Sequence, residues 1–251
     1  MKLSVLIPVY NECQWLKQVV HKVLNQKIVG VDDLEIIIVD DGSSDGTKEI
    51  VQKLAAEYSE RIIPVFHQRN SGKGAAIMSA VGRMTGDFCI IQDADLEYDP
   101  VDYPLVLEPI IQGFADCVYG SRFVGSQAKR VLFFWHSVGN KFLTSLSNMF
   151  TNLALTDMET CYKAFRAGIL KAIPIRCRRF GFEAEITAKI AQRKCRIYEV
   201  GIGYKGRTYT EGKKIGWIDG VKAIFIIIFF GIINDSRGKQ ERKKEKGIES
   251  L

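Results

Sequence analysis

Short apolar, β-branched runs alternate along the chain with stretches in which apolar residues recur every three to four positions. Leu3–Pro8 and Glu35–Val39 are runs of the first kind, and between them Trp15, Leu16, Val19, Val20, Val23 and Leu24 fall at helical spacing. The three segments predict a β-α-β unit. Ile62–Phe66 and Phe88–Gln92 predict two more strands, with helices over Thr47–Tyr58 and Lys73–Met84 between them. Beyond a fifth strand at Asp116–Gly120 the pattern loosens, predicting helices over residues 133–153 and Phe182–Gln192 and a strand within Arg196–Tyr204. Alternation of this kind implies an α/β fold with a mostly parallel sheet, helices on both faces, and ligands gathered at the carboxyl ends of the strands.

With 251 residues, 47% of them hydrophobic, the chain can bury one large core, and a single domain over residues 1–220 is expected. The last apolar run, Ala223–Ile233, has 11 residues where a spanning helix needs about 20. Residues 221–236 therefore predict an amphipathic or apolar helix lying in a membrane interface or closing a core or homo-oligomer contact, followed by a basic, disordered tail over 237–251. The amino terminus enters a strand pattern with no signal-peptide pattern. Six cysteines without a CxxC pair argue against zinc and disulfides and for a reducing, cytoplasmic setting. The net charge of +6 conceals a division: residues 1–121 carry 10 basic and 18 acidic side chains, residues 122–251 carry 25 and 11. The first part suits a metal ion; the second suits phosphates or an anionic membrane surface, with no nucleic-acid partner implied.

Three of the first four strands end in polar motifs. Asp93-Ala-Asp95 puts two carboxylates at a strand end, with Glu97 and Asp99 behind them, and oxygen ligands at that spacing suit Mg²⁺ or Mn²⁺ with positions left open for a diphosphate. A DxD tripeptide alone is more often a surface turn; the strand before it raises the functional reading. Asp40-Asp41-Gly-Ser-Ser-Asp45 closes another strand and opens a helix, so Asp45 can cap while Asp40 or Asp41 binds a nucleobase or ribose. Arg69-Asn-Ser-Gly-Lys73-Gly is a glycine-rich turn that fails the P-loop spacing, and the first strand runs into Pro8-Val-Tyr10-Asn-Glu12 in place of GxGxxG.

Taken in order, Leu6–Glu12, Val39–Gly46, Arg69–Gly74 and Asp93–Asp95 resemble family 2 glycosyltransferases of the GT-A (Rossmann-like) fold. Gly120-Ser-Arg122, Thr156–Arg166, Phe180–Glu183 and Arg207–Lys214 extend the resemblance toward the dolichyl-phosphate mannose synthase, or polyprenyl-phosphate glycosyltransferase, branch. The resemblance implies that Pro8, Tyr10, Glu12, Asp40 and Asp41 meet the nucleoside of a GDP- or UDP-linked sugar. Asp93 and Asp95 would meet the metal and diphosphate, with Glu97 as a further metal ligand; Lys73 would join the nucleotide-sugar site, and Arg207 and Lys214 would meet the donor diphosphate. Arg122, Arg130 and Ser137 would meet a lipid-linked phosphate acceptor.

His21, His67 and His136 lie outside the strand-end motifs, which leaves no evident general base. A phosphate acceptor is already ionised and needs none. A saccharide or other hydroxyl acceptor would call on Asp157 as base. Direct displacement inverts the anomeric centre. A nucleotidyltransferase would want a basic glycine-rich loop after the first strand, and a non-catalytic module would be expected to have lost a metal carboxylate. The expected setting is the cytoplasmic face of a membrane, to which the protein binds peripherally.

Overall fold

The computed structural model describes residues 1–125, 130–131, 133–179, 181–206 and 220–232. Its centre is a seven-stranded sheet formed by β1 (Lys2–Val9), β2 (Asp33–Asp40), β3 (Ile62–Phe66), β4 (Phe88–Ile91), β5 (Cys117–Ser121), β6 (Lys163–Arg166) and β7 (Ile197–Gly201), in the order β3-β2-β1-β4-β6-β5-β7. The first four strands pair in parallel, β1, β2 and β4 as apolar runs buried on both faces and β3 as a half-open edge strand. Leu3, Val5, Leu6 and Ile7 of β1 are wholly enclosed, each contributing about 1.5–3 kcal/mol by burial.

Helices α1 (Leu16–Leu24), α2 (Thr47–Glu57) and α3 (Lys73–Val81) connect these strands. In α1, Leu16, Val19, Val20 and Val23 are fully buried at the i, i+3, i+4, i+7 spacing that carries an amphipathic helix onto a sheet. Further along come α4 (Tyr103–Ile111), α5 (Phe134–Thr151), α6 (Ala167–Lys171), α7 (Phe182–Gln192) and a last helix, α8, over residues 220–232.

The second half departs from simple alternation. β6 runs antiparallel between β4 and β5, with Ile90 opposite Ala164 and Val118 opposite the same residue. Its amino end therefore lies at the sheet edge where β4 and β5 end. β7 returns parallel to β5, from Cys117 opposite Ile197 to Ser121 opposite Gly201. Chain segments arriving from both directions thus meet at one edge.

α8 buries Ala223, Ile227 and Phe230 and leaves Val221, Phe225, Phe229 and Ile232 exposed. Ile227 joins Met158 and Ala184 in a small satellite cluster flanked by Leu143 and Leu146 of α5. The apolar run thus packs against the domain along one side and is open on another. The 237–251 tail expected to be disordered lies outside the described residues. No helix among the described residues is long and apolar enough to cross a membrane.

Candidate active site

The β1–α1 and β2–α2 loops are stitched together. Asn11, in the left-handed region at φ 52°, donates its N–H to Ser43 Oγ at 2.9 Å, and its Oδ1 accepts the Ser44 N–H at 2.9 Å. Glu12 N–H donates to Thr47 Oγ1, and Cys13 N–H to Asp45. Asp45 also accepts from the N–H and hydroxyl of Thr47, the first residue of α2, but the cap position itself falls on Gly46, at φ 94°, and not on Asp45 as expected. The stitching leaves Tyr10 exposed and Pro8 and Glu12 partly exposed along the rim of the edge.

Asp40 and Asp41 differ from expectation. Asp40 is 1% exposed and accepts the Ser43 N–H; Asp41 is 3% exposed and accepts the N–H of Ser71 and, at 2.7 Å, of Gly72. Asp41 also meets His67 Nδ1 at 2.6 Å. Both carboxylates are committed to backbone, and they fix the loops that would frame a nucleoside. His67, read as outside the strand-end motifs, stands at the end of β3 within this cluster. Its Nε2 is 2.9 Å from Ser79 Oγ, so both ring nitrogens are engaged.

The glycines of the Arg69–Gly74 turn serve close packing. A Cβ on Gly74 would come within 2.0 Å of the Cys177 carbonyl oxygen, and one on Gly72, at φ 98°, within 2.5 Å of that of Arg178. That approach lets Lys73, the first residue of α3, reach Asp93 Oδ1 at 3.0 Å and Glu183 Oε1 at 3.2 Å. Burial alone would lower the Lys73 ammonium, but Asp93, Cys161 and Glu183 hold it well above its ordinary value. Asp93 is the counterpart: burial would raise it, and Lys73 holds it below the ordinary carboxylate range.

After Asp93 the chain turns tightly through Leu96, at φ 60°. Asp95 Oδ1 accepts the Glu97 N–H, and Glu97 Oε2 accepts the Tyr204 hydroxyl at 2.6 Å. Glu97, expected as a metal ligand, is thereby turned toward the segment after β7. Among the described residues no three His, Cys, Asp or Glu side chains converge into a metal cage. The chemistry still fits Mg²⁺, which is commonly bound through one or two carboxylates with substrate phosphates and water, and Asp95, partly exposed beside Asp93, offers that set.

Arg122 follows β5 and forks onto Asp157, Nε to Oδ2 at 2.7 Å and Nη2 to Oδ1 at 2.7 Å, with a third bond to Asn140 Oδ1. Its guanidinium lies 5.2 Å from the Tyr204 ring centroid. Asp157 is fully enclosed and also accepts from Asn140 Nδ2 and the Arg122 N–H. Burial would raise its carboxyl, yet Arg122 holds it below the ordinary range, so the expectation that Asp157 serves as a base fails: its oxygens are spent and its proton affinity is low. Arg130 lies exposed with Nη1 on the Gly206 carbonyl, Ser137 sits partly exposed in the first turn of α5, and Arg207 and Lys214 lie outside the described residues.

Two residues of this edge were not anticipated. Lys163, at the start of β6, is fully buried, its ammonium 4.8 Å from the Tyr119 ring centroid and donating to the Thr160 carbonyl, and burial lowers its proton affinity. Glu159, two residues after Asp157, is partly exposed; burial first and Glu183 second push its carboxyl up to about 7. The signal was present as four charged residues, Asp157, Glu159, Lys163 and Arg166, around a short apolar stretch, but only pairing with β4 and β5 shows which of them face the edge.

Residues 4–173 match the family described as Glycosyl transferase family 2. An undecaprenyl-phosphate 4-deoxy-4-formamido-L-arabinose transferase of Photorhabdus laumondii subsp. laumondii is 29% identical over 212 residues, covering 84% of this chain and 62% of that protein. The protein of the same name from Salmonella choleraesuis is 31% identical with the same coverage, so the chain spans about three fifths of the length of these relatives. Among solved structures, glucosyl-3-phosphoglycerate synthase from Mycobacterium tuberculosis, in complex with Mn²⁺, uridine diphosphate and phosphoglyceric acid, superposes with a TM-score of 0.69 at 18% identity, covering 92% of this chain and 78% of that one. The same enzyme with Mg²⁺ and uridine diphosphate gives 0.66 at 19% identity, covering 91% and 79%. The fold is that of the GT-A glycosyltransferases, and the chain belongs to glycosyl transferase family 2.

Proposed function

We propose that this member of glycosyl transferase family 2 moves a sugar from a nucleoside-diphosphate sugar to a polyprenyl phosphate at a membrane surface, with inversion. The observation that carries the reading is the Arg122–Asp157 fork, which holds a cation at the edge where β4 ends in Asp93 while removing Asp157 as a base. An acceptor that arrives as a phosphate needs a cation and no proton acceptor. The names of the relatives, transferases to undecaprenyl phosphate, support the same acceptor chemistry.

On this reading Pro8, Tyr10 and Glu12 border the nucleoside, and Asp40 and Asp41 hold the loops around it. Lys73 stands at the diphosphate, oriented by Asp93 and Glu183, and Arg207 and Lys214 are assigned to the same diphosphate by the family resemblance. Arg122 meets the acceptor phosphate, and Arg130 and Ser137 are assigned to the same acceptor. A Mg²⁺ or Mn²⁺ ion held by Asp95 and Asp93 would offset the charge that builds on the leaving diphosphate. The exposed aromatic residues of α5 and α8, Trp135 at 78% and Phe225 at 69% among them, supply apolar surface suited to a lipid interface.

A second reading rests on Glu159. A partly exposed carboxyl near pH 7 is suited to accept a proton from a hydroxyl acceptor, the role withdrawn from Asp157. One experiment separates the two: release of nucleoside diphosphate from a panel of donors with Mn²⁺, with and without a short polyprenyl phosphate, in the parent chain and in Glu159→Gln. Release that depends on the lipid phosphate and survives Glu159→Gln supports the first reading. Release that ignores the lipid phosphate and collapses in Glu159→Gln supports the second.

A further inference from the structure

Beside the turn that carries Lys73, an open cavity of about 660 Å³ lies between the loop after β3, the segment joining α6 to α7, and α8. Four arginines line it: Arg69, Arg176, Arg178 and Arg179. All four are exposed, and none of their guanidinium groups makes an ion pair or hydrogen bond among the described residues. Three other arginines of the described residues are ion-paired, Arg122 with Asp157 and Arg166 and Arg196 with Asp116.

The segment that carries three of the four is held in place by its backbone. The carboxylate of Glu185, fully buried, accepts the N–H groups of Arg176 and Cys177, and it pairs with Lys189. The Arg178 carbonyl accepts the Ala75 N–H at 2.9 Å. The Glu185 carboxylate is thus committed to backbone and to Lys189, and residues 176, 178 and 179 line the cavity. Ile226 of α8 completes the wall, and beside it on the helix the exposed Phe225 and Phe229 continue outward.

Concentrating four cations around one concavity, none of them ion-paired among the described residues, is unfavourable until an anion enters. Planar guanidinium forks match phosphate oxygens two at a time, and a phosphate brings several acceptors and more than one charge. We propose that this cavity is a phosphate-binding site, formed by arginines to which neither donor nor acceptor is assigned above, whose ligand is a phosphate group carried by a lipid headgroup or by a small soluble anion.

The test uses the full chain without donor and in metal-chelating buffer, so that it reads binding and not turnover. One arm measures binding of inorganic pyrophosphate by calorimetry. The other measures co-sedimentation at low salt with vesicles of phosphatidylglycerol and phosphatidylcholine, against phosphatidylcholine alone. Both compare the parent chain with the triple variant Arg176→Gln, Arg178→Gln and Arg179→Gln, and with the corresponding Arg→Lys triple, which keeps charge without the fork and stands in if the first does not fold. Loss of several charge-assisted contacts should weaken binding at least about 10-fold in the glutamine variant. Weakening in the pyrophosphate arm alone assigns a soluble ligand, weakening in the vesicle arm alone assigns a headgroup, and weakening in both assigns phosphate in either form. Binding that is absent in the parent chain, or unchanged in both arms in a variant whose unfolding temperature matches the parent, overturns the proposal.

Discussion

Arg122 and Asp157 form a two-bond fork, 2.7 Å at each contact, in which the arginine side chain is 13% exposed and the aspartate 0%. Deleting one member leaves the other charged and enclosed. Arg122→Ala should therefore cost about 3–5 kcal/mol of stability as well as acceptor use. Arg122→Lys keeps the charge but not the fork, and should retain most of the stability while kcat/KM for the acceptor falls at least about 10-fold. Urea unfolding together with acceptor kinetics checks the pair. Arg122→Ala with unaltered unfolding would show that the fork contributes nothing to the fold.

Asp95 is the carboxylate on which the proposed metal dependence turns. Asp95→Asn preserves shape and removes the charge that opposes a divalent ion, so turnover should drop by at least about 10²-fold. EDTA should abolish turnover in the parent chain, and Mn²⁺ should restore it. Full turnover in EDTA would refute this assignment.

Gly74 is read in the sequence as part of a phosphate-like turn and in the structure as a crossing point. Since an added Cβ would meet the Cys177 carbonyl oxygen at 2.0 Å, Gly74→Ala must push α3 and the 176–178 segment apart. The expected cost is roughly 1–3 kcal/mol, with a matching loss in kcat as Lys73 shifts from Asp93. A thermal melt within a degree of the parent chain would contradict the close approach.

Glu35 gives an acid-side prediction. Burial by itself would raise its carboxyl from 4.5; hydrogen bonds from Ser4, Thr85 and Lys2 outweigh that and lower it to about 2. Because the folded value is below the unfolded one, this group's contribution to stability is present above pH 4.5 and lost as pH falls toward 2. Glu35→Gln should flatten the fall in unfolding free energy across that window and leave its course above pH 5 unchanged. Equal slopes in the two proteins would contradict it.

The strands of the first half and the helix over Phe182–Gln192 were legible because their apolar patterns are local. α4 was not: Pro104 and Pro109 interrupt its periodicity, although Pro104 falls in the first turn, where a missing N–H costs nothing. β6 was not, because its four residues begin and end in charge. At the site, the motif positions lie where the pattern put them, and what escaped was pairing: Asp41 with Ser71 and Gly72, Glu97 with Tyr204, and His67 with Asp41. Which partner saturates a carboxylate is a long-range fact that no spacing along the chain reports.

The antiparallel insertion of β6 also orders events during synthesis. β4, which delivers Asp93, pairs with β1 on one side, but its other neighbour begins only at Lys163. At roughly 5–20 residues per second, the ribosome takes several seconds to supply that neighbour after Phe88 emerges. Throughout that interval the nascent β3-β2-β1-β4 unit has an open, wholly apolar edge of the kind that recruits foreign strands. Translation pauses between residues 92 and 163 should therefore lower soluble yield more than pauses of equal length placed after residue 170, a difference that synonymous-codon variants of the same protein would reveal.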